Sequence, residues 1–105
     1  MFKRISVQQA KTLLEQEHAQ CIDIRDDLSY QQGHLTDAAL INNNNIGQWI
    51  EQAKKDKPLI VYCYHGNASQ SAAQYLYEQG FHEAYSMDGG FEAWRMLYPN
   101  DIDRD

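Results

Sequence analysis

No run of more than two consecutive lysines or arginines interrupts this chain, and no apolar stretch comes near the length of a membrane span. The 9 basic residues are scattered among 15 acidic ones, for a formal charge of −6. Nucleic acid and anionic membrane are therefore poor partners, because both are held by clustered cations. A bilayer-spanning helix is excluded as well, since it needs about 20 mostly apolar residues in a row. The opening MFKRISVQQA has two basic residues and then turns polar, without the apolar core of a secretory leader. Cysteine is scarce too. Cys21 and Cys63 both sit in apolar, strand-like runs, too few for a disulfide framework and without paired histidines at zinc-site spacing. The expectation is a chain that stays in the cytoplasm with both thiols reduced and no metal.

What is present suits one soluble domain. The 105 residues are 43% apolar and 23% charged, ordinary values for a globular protein with a real core. Residues 1–105 read as a single domain with a core over about 4–98 and a frayed tail over 99–105. Ser6 with Gln9 forms a capping-box pattern, followed by Val7, Ala10, Leu13 and Leu14 at helical spacing to about Glu17. The stretch 20–25 alternates as a strand whose far end becomes charged, and residues 26–33 read as a short helix stopped at Gly33. Further strands are expected at 38–41, 59–63 and 84–87, with an edge strand near Arg4. Further helices are expected around Ile46–Ala53, Ser69–Gln79 and Phe91–Leu97. This alternation predicts an α/β fold, a mostly parallel sheet covered by helices on both faces.

The chemistry concentrates at 61–71, VYCYHGNASQS, where a strand delivers Cys63 into a bend and then a helix. In a parallel sheet such a loop lies at the ligand-binding edge, and the helix that follows points free N–H groups at it. Cys63 would face the positive end of that helix, which lowers a thiol pKa from about 8.5. Gly66 and Asn67 tolerate positive φ, as needed if the amides of Tyr64, His65, Gly66, Asn67 and Ala68 are to converge on the sulfur. A phosphatase-type loop requires an arginine where this chain has Ser69, and a thioredoxin-type pair requires a cysteine at Gly66. Both readings fail on those residues.

Three separated stretches, CIDIRDDLSYQQGHLTDA (21–38), CYHGNAS (63–69) and YSMDGGFEAW (85–94), together resemble a single-domain rhodanese, nearest to the GlpE-type bacterial thiosulfate sulfurtransferases. The resemblance implies a rhodanese fold with a five-stranded, mostly parallel sheet and a six-residue active loop, Cys63 to Ala68. Phosphatase and arsenate-reductase domains of that fold use a loop one residue longer.

The activity implied is thiosulfate sulfurtransfer. Cys63 would take the sulfane sulfur of thiosulfate as a persulfide, release sulfite and pass the sulfur to cyanide or a dithiol such as thioredoxin, without a cofactor. The alternative is a noncatalytic module that carries a persulfide, senses oxidation or binds a partner.

Substrate contacts fall to Tyr64, His65, Gly66, Asn67, Ala68, Ser69 and Arg25. Asn67 and Ser69 would shape the turn and cap the helix, with the Ser69 hydroxyl reaching the sulfur. His65 reads either as an anion or proton partner or as a solvent-facing residue. Arg25 reads either as a substrate contact or as an ion-pair partner of Asp23 or Asp26. His34 and Asp88 read as loop-fixing residues, Trp49, Phe91 and Trp94 as core. Cys21 is placed at the end of the sheet opposite the loop. Two departures from the family pattern are Ala68, where a hydroxyl residue is common, and Asp37, where glycine is common and the replacement reads as a surface change. A third is the lack of arginine or lysine within the loop, which predicts weak and salt-sensitive thiosulfate binding.

Overall fold

The alternation along residues 59–62 sorts the core into two layers. Leu59 and Val61 face a cluster with Ile22, Ile41, Ala73, Leu76 and Phe81, whereas Ile60 and Tyr62 face one with Val7, Ala10, Leu35, Phe91 and Trp94. All four strand residues are fully buried, which is why the run reads as continuously apolar. The computed structural model describes residues 1–105.

In chain order the elements are β1 (Lys3–Ile5), α1 (Val7–Gln16), β2 (Gln20–Asp23), α2 (Asp27–Gln32), β3 (His34–Leu35), β4 (Ala39–Leu40), α3 (Ile46–Gln52), β5 (Leu59–Tyr62), α4 (Ala68–Glu78), β6 (Ala84–Met87), α5 (Gly90–Leu97) and β7 (Ile102–Asp103). Five strands form a sheet in the order β1-β6-β5-β2-β4, and every pairing in it is parallel. Helices α1 and α5 supply one buried layer and α3 and α4 the other. The expected α/β architecture is therefore present, with a rule-abiding entry to α1: Ser6 Oγ accepts from the Gln9 amide and Gln9 Oε1 accepts from the Ser6 amide. No helix is long and apolar enough to cross a membrane.

Three local expectations change. The end of the chain does not fray: Ile102–Asp103 pairs antiparallel with His34–Leu35, and the Trp94 indole donates to the Asp101 carbonyl at 3.2 Å. A two-residue strand carries no periodicity, so only its distant partner defines it. Strand β2 stops at Asp23, because the Asp23 carboxylate turns back to accept from the Arg25 amide at 2.8 Å. Asp37 is more than a surface change, since its φ of 65° lies in the left-handed region where glycine is at ease and aspartate is tolerated.

Ile22 is 0% exposed at the centre of the second cluster. Ile22→Ala is expected to cost about 2–5 kcal/mol through lost burial and an unfilled cavity. Urea unfolding checks this by a lower midpoint at unchanged slope; an unchanged midpoint would contradict the packing described.

Candidate active site

The sheet order places the site. Strands β2 and β5 are neighbours, but the chain leaves β2 toward β4 on one side and leaves β5 toward β6 on the other. At such a switch point the connections diverge and open a crevice at the carboxyl ends of the strands. Asp23 pairs with Tyr62, and the Ile24 amide donates to the Tyr62 carbonyl at 3.1 Å. The turn after β2 and the loop after β5 consequently leave the sheet side by side.

Cys63 is the first residue of that loop and is 6% exposed. Its Sγ accepts from the amides of Gly66 at 3.2 Å and Ser69 at 3.3 Å, and the Ser69 hydroxyl lies 3.4 Å away. Burial pushes the thiol upward. The Ser69 hydroxyl and the amides of Ser69, Gly66 and His65 outweigh it, so the thiol sits below its ordinary value. Gly66 makes the convergence possible with φ 92°, a conformation that turns its N–H back onto the sulfur. Gln70 Nε2 holds the far side of the bend, donating to the Gly66 carbonyl at 2.9 Å. The amides of Tyr64, Asn67 and Ala68 have no acceptor within the protein.

A second helix grips the loop from behind. The first free amides of α5, on Phe91 and Glu92, donate to the carbonyls of Cys63 at 2.9 Å and Tyr64 at 3.1 Å. Gly90 permits this approach. A Cβ there would lie 2.5 Å from the Cys63 oxygen and the Tyr64 carbonyl carbon, and its φ of 58° is itself in the left-handed region. The loop carbonyls are thus pulled away from the sulfur while the loop amides point toward it.

Arg25 is bound within the protein. Its Nε and Nη2 donate to the Asp23 carboxylate at 2.7–3.1 Å, and Nη2 also donates to the Gly33 carbonyl at 2.6 Å. The guanidinium lies 4.0 Å from the centre of the Phe91 ring, and the Tyr62 hydroxyl donates to Asp23 at 2.5 Å. Of the two readings of Arg25, the ion pair is the one formed; its guanidinium does not bond the Cys63 sulfur. Both side chains are almost wholly buried, so deleting either partner would strand a charge at a cost of about 3–5 kcal/mol.

Tyr64 is similarly tethered. Its hydroxyl donates to Asp26 at 2.5 Å and contacts Ser29 Oγ, and that phenol bond is the chief reason the Asp26 carboxyl falls to about 2.

The structure brings together Cys63, Gly66 and Ser69, with His65 exposed on the loop rim. It departs at Asn67 and Ala68. Asn67 has φ −90° and makes no capping bond, while Ala68 is already the first residue of α4, so the non-helical part of the loop is 63–67. Ser69 sits inside the helix rather than capping it. His34 and Asp88 do fix loops: His34 Nδ1 lies 2.7 Å from the Tyr30 carbonyl, and Asp88 accepts from Arg4 at 2.8 Å. Trp49 stacks on Phe81, and Trp94 is core.

Sequence reasoning missed Gly90, Gln70 and Ser86, whose roles depend on partners far away along the chain. The paired glycines at 89–90 were the one readable hint. No three His, Cys, Asp or Glu side chains converge as metal ligands. Cys21 pairs with Ile60, three residues before Cys63 along the neighbouring strand, about 10 Å in a parallel sheet. A disulfide needs Cα atoms within about 7 Å. Cys21 instead lines a hollow of about 380 Å³ with Lys11, Trp94 and Asp101 at the other end of the sheet.

Comparisons with known proteins agree with this geometry. Residues 6–97 match the rhodanese-like domain model. A protein named thiosulfate sulfurtransferase GlpE from Pseudomonas fluorescens (strain SBW25) is 54% identical over 101 residues, covering 96% of this chain and 92% of that protein. The protein of the same name from Pseudoalteromonas translucida (strain TAC 125) is 47% identical over 103 residues, covering 98% of each. Among solved structures, a rhodanese-like domain protein from Staphylococcus aureus superposes with a TM-score of 0.76 at 29% identity, covering 88% of this chain and 90% of that one. The rhodanese-like domain of an Anabaena sp. protein gives 0.83 at 20% identity, over 97% of this chain and 79% of that one, a likeness of fold.

The two thiols make opposite predictions. Burial first, and the Asp23 charge second, push Cys21 up, whereas Cys63 is lowered. Iodoacetamide followed by peptide mass analysis should label Cys63 with a midpoint below about 8.5 and leave native Cys21 unlabelled. Equal labelling of both thiols would contradict the geometry.

Proposed function

The chain belongs to the rhodanese-like domain family, and we propose that it is a thiosulfate sulfurtransferase with Cys63 as its nucleophile. The observation that carries the assignment is the sulfur of Cys63 held by two backbone amides and a hydroxyl, with further amides free around it. Such a cradle stabilises a sulfur anion without a formal positive charge.

In the first step the Cys63 thiolate attacks the outer sulfur of thiosulfate. The new S–S bond forms as the old one breaks, and sulfite leaves with the bonding electron pair. The product is a persulfide whose terminal sulfur carries the negative charge. In the second step cyanide, or the thiolate of a dithiol such as thioredoxin, attacks that terminal sulfur and Cys63 departs as thiolate. Charge balances in both steps and no proton moves, so the chemistry needs no general base. This accords with a sulfur that no acidic or basic side chain bonds. No cofactor enters the scheme, because the persulfide is itself the carrier.

The free amides of Tyr64, Asn67 and Ala68 are the groups suited to sulfonate oxygens and then to the terminal sulfur. His65, exposed at the rim, contributes at most to attracting the anion. A reducing compartment such as the cytoplasm suits a thiol that must return to thiolate after each cycle.

Thiocyanate formation from thiosulfate and cyanide tests the proposal. Cys63→Ser should reduce it to the uncatalysed rate and Cys21→Ser should leave it unchanged. Thiosulfate alone should add one sulfur atom to the protein, removable by cyanide. A persulfide that forms without turnover would support the carrier alternative, and no sulfur uptake would overturn the assignment.

The salt dependence also has a definite sign. Long-range repulsion by a chain of charge −6 is screened more than the short-range amide dipoles. The KM for thiosulfate should therefore fall as ionic strength rises toward about 0.15 M, where the Debye length is about 8 Å. A rising KM would show that the attraction is long-range and cationic.

A further inference from the structure

Behind the serine whose hydroxyl reaches the reactive sulfur stands a second one, which the transfer scheme leaves without a task. Ser69 and Ser86 are both 0% exposed, and their hydroxyl oxygens lie 2.8 Å apart. The nearer, Ser69 Oγ, is 3.4 Å from Cys63 Sγ. Ser86 comes from β6, in register with Val61 of the adjoining strand, and so reaches Ser69 from beneath the loop. Its hydroxyl has no hydrogen-bond partner other than Ser69.

A hydroxyl with one partner in a dry site limits how the protons can be arranged. If Ser86 donates to Ser69, the Ser69 proton is left for the sulfur, and the row of donors ends on an anion. Every buried hydroxyl proton then has an acceptor. In the reverse order, the Cys63 S–H donates to Ser69 and Ser69 to Ser86. That row ends on a Ser86 proton facing nothing, an arrangement that buried polar groups avoid. Hydroxyls in series also polarise one another toward the charge at the end.

We propose that Ser86 is a positioning residue for the sulfur chemistry, acting through Ser69 to keep a hydroxyl proton on Cys63 whenever that sulfur is anionic. The proposal rests on the sulfur-transfer reading for its purpose. Cys63 is anionic twice in the cycle, as nucleophile in the first step and as leaving group in the second, and the relay serves both moments. It assists departure more than attack, because holding the charge lowers nucleophilicity while improving the leaving group.

The titratable and charged groups on the elements around the loop are Tyr64 and His65 on the loop itself, Asp23 and Arg25 at the end of β2, Asp26 before α2, Asp88 after β6 and Glu92 on α5. Arg25 is paired with Asp23, Asp88 with Arg4 and Glu92 with Arg95, and none of them bonds the sulfur. Substitution of a neutral residue at 86 leaves this set of charges intact.

The test is the pH dependence of Cys63 alkylation by iodoacetamide, read by peptide mass analysis in the wild type, Ser86→Ala, Ser69→Ala and the double variant. Ser86→Ala should raise the midpoint by about half a unit, a roughly threefold loss of thiolate below it. It should add nothing in the Ser69→Ala background. The pair Ser86→Thr and Ser86→Val adds nearly the same bulk and differs in the hydroxyl, so it separates loosened packing from a lost donor. The Thr variant should titrate below the Val variant.

An unmoved midpoint in a folded Ser86→Ala, or an equal shift with and without Ser69, overturns the relay. Because alkylation needs no thiosulfate, an inactive wild type with a shifted Ser86→Ala titration would refute the transfer reading alone.

Discussion

A sulfur that is to carry charge at the buried end of a strand must be solvated by something, and in this protein the solvent is backbone. The amides of Gly66 and Ser69 turn onto Cys63, and everything nearby serves to keep them there. Helix α4 supplies one of those amides along with the favourable end of its dipole. Helix α5 contributes differently, spending its first amides on the carbonyls of Cys63 and Tyr64. Both helices can reach the same loop because, in an all-parallel sheet, each helix that follows a strand starts at the same edge.

Charge is handled with equal economy. Arg25, beside the loop residue Tyr64, is locked to Asp23 and Gly33, with aromatic rings of Phe91, Tyr62 and Tyr64 around it. That buried pair joins the turn after β2 to the strand before the loop, since Tyr62 also donates to Asp23. Its positive charge is already neutralised by Asp23, so the groups turned onto the sulfur are backbone dipoles, on a protein of net negative charge. In the proposed transfer, a dipolar site can follow the charge from one sulfur to the next as a persulfide forms. A fixed cation would hold the leaving sulfite as firmly as the entering thiosulfate.

The two cysteines show how far position governs reactivity. Cys21 lies in β2 and Cys63 just past the end of the neighbouring β5, both nearly without exposure. Cys21 sits within a strand whose amides are committed to the sheet, so burial and the Asp23 charge disfavour its anion. Cys63 sits just past the end of its strand, where amides are released from pairing and can turn to the side chain. An offset of three residues between neighbouring strands separates a thiol whose anion is disfavoured from one whose anion is favoured.

Much of this was legible in one dimension because it depends on local periodicity. The capping box at Ser6, the buried run 59–62, the strand-loop-helix around Cys63 and the glycines that permit left-handed turns are all properties of neighbouring residues. They determined an α/β sheet and a cysteine at its reactive edge. What tertiary structure alone decided involves partners separated by many residues: Ser86 beneath Ser69, Gly90 against Cys63, and β7 beside β3. The choice of Asp23 as partner for Arg25 was likewise settled by burial and by Tyr62 closing over the pair, not by sequence spacing. Local pattern tells which way a residue faces; only the folded chain tells what it faces, because a hydrogen bond requires an atom at a given distance and a sequence specifies none.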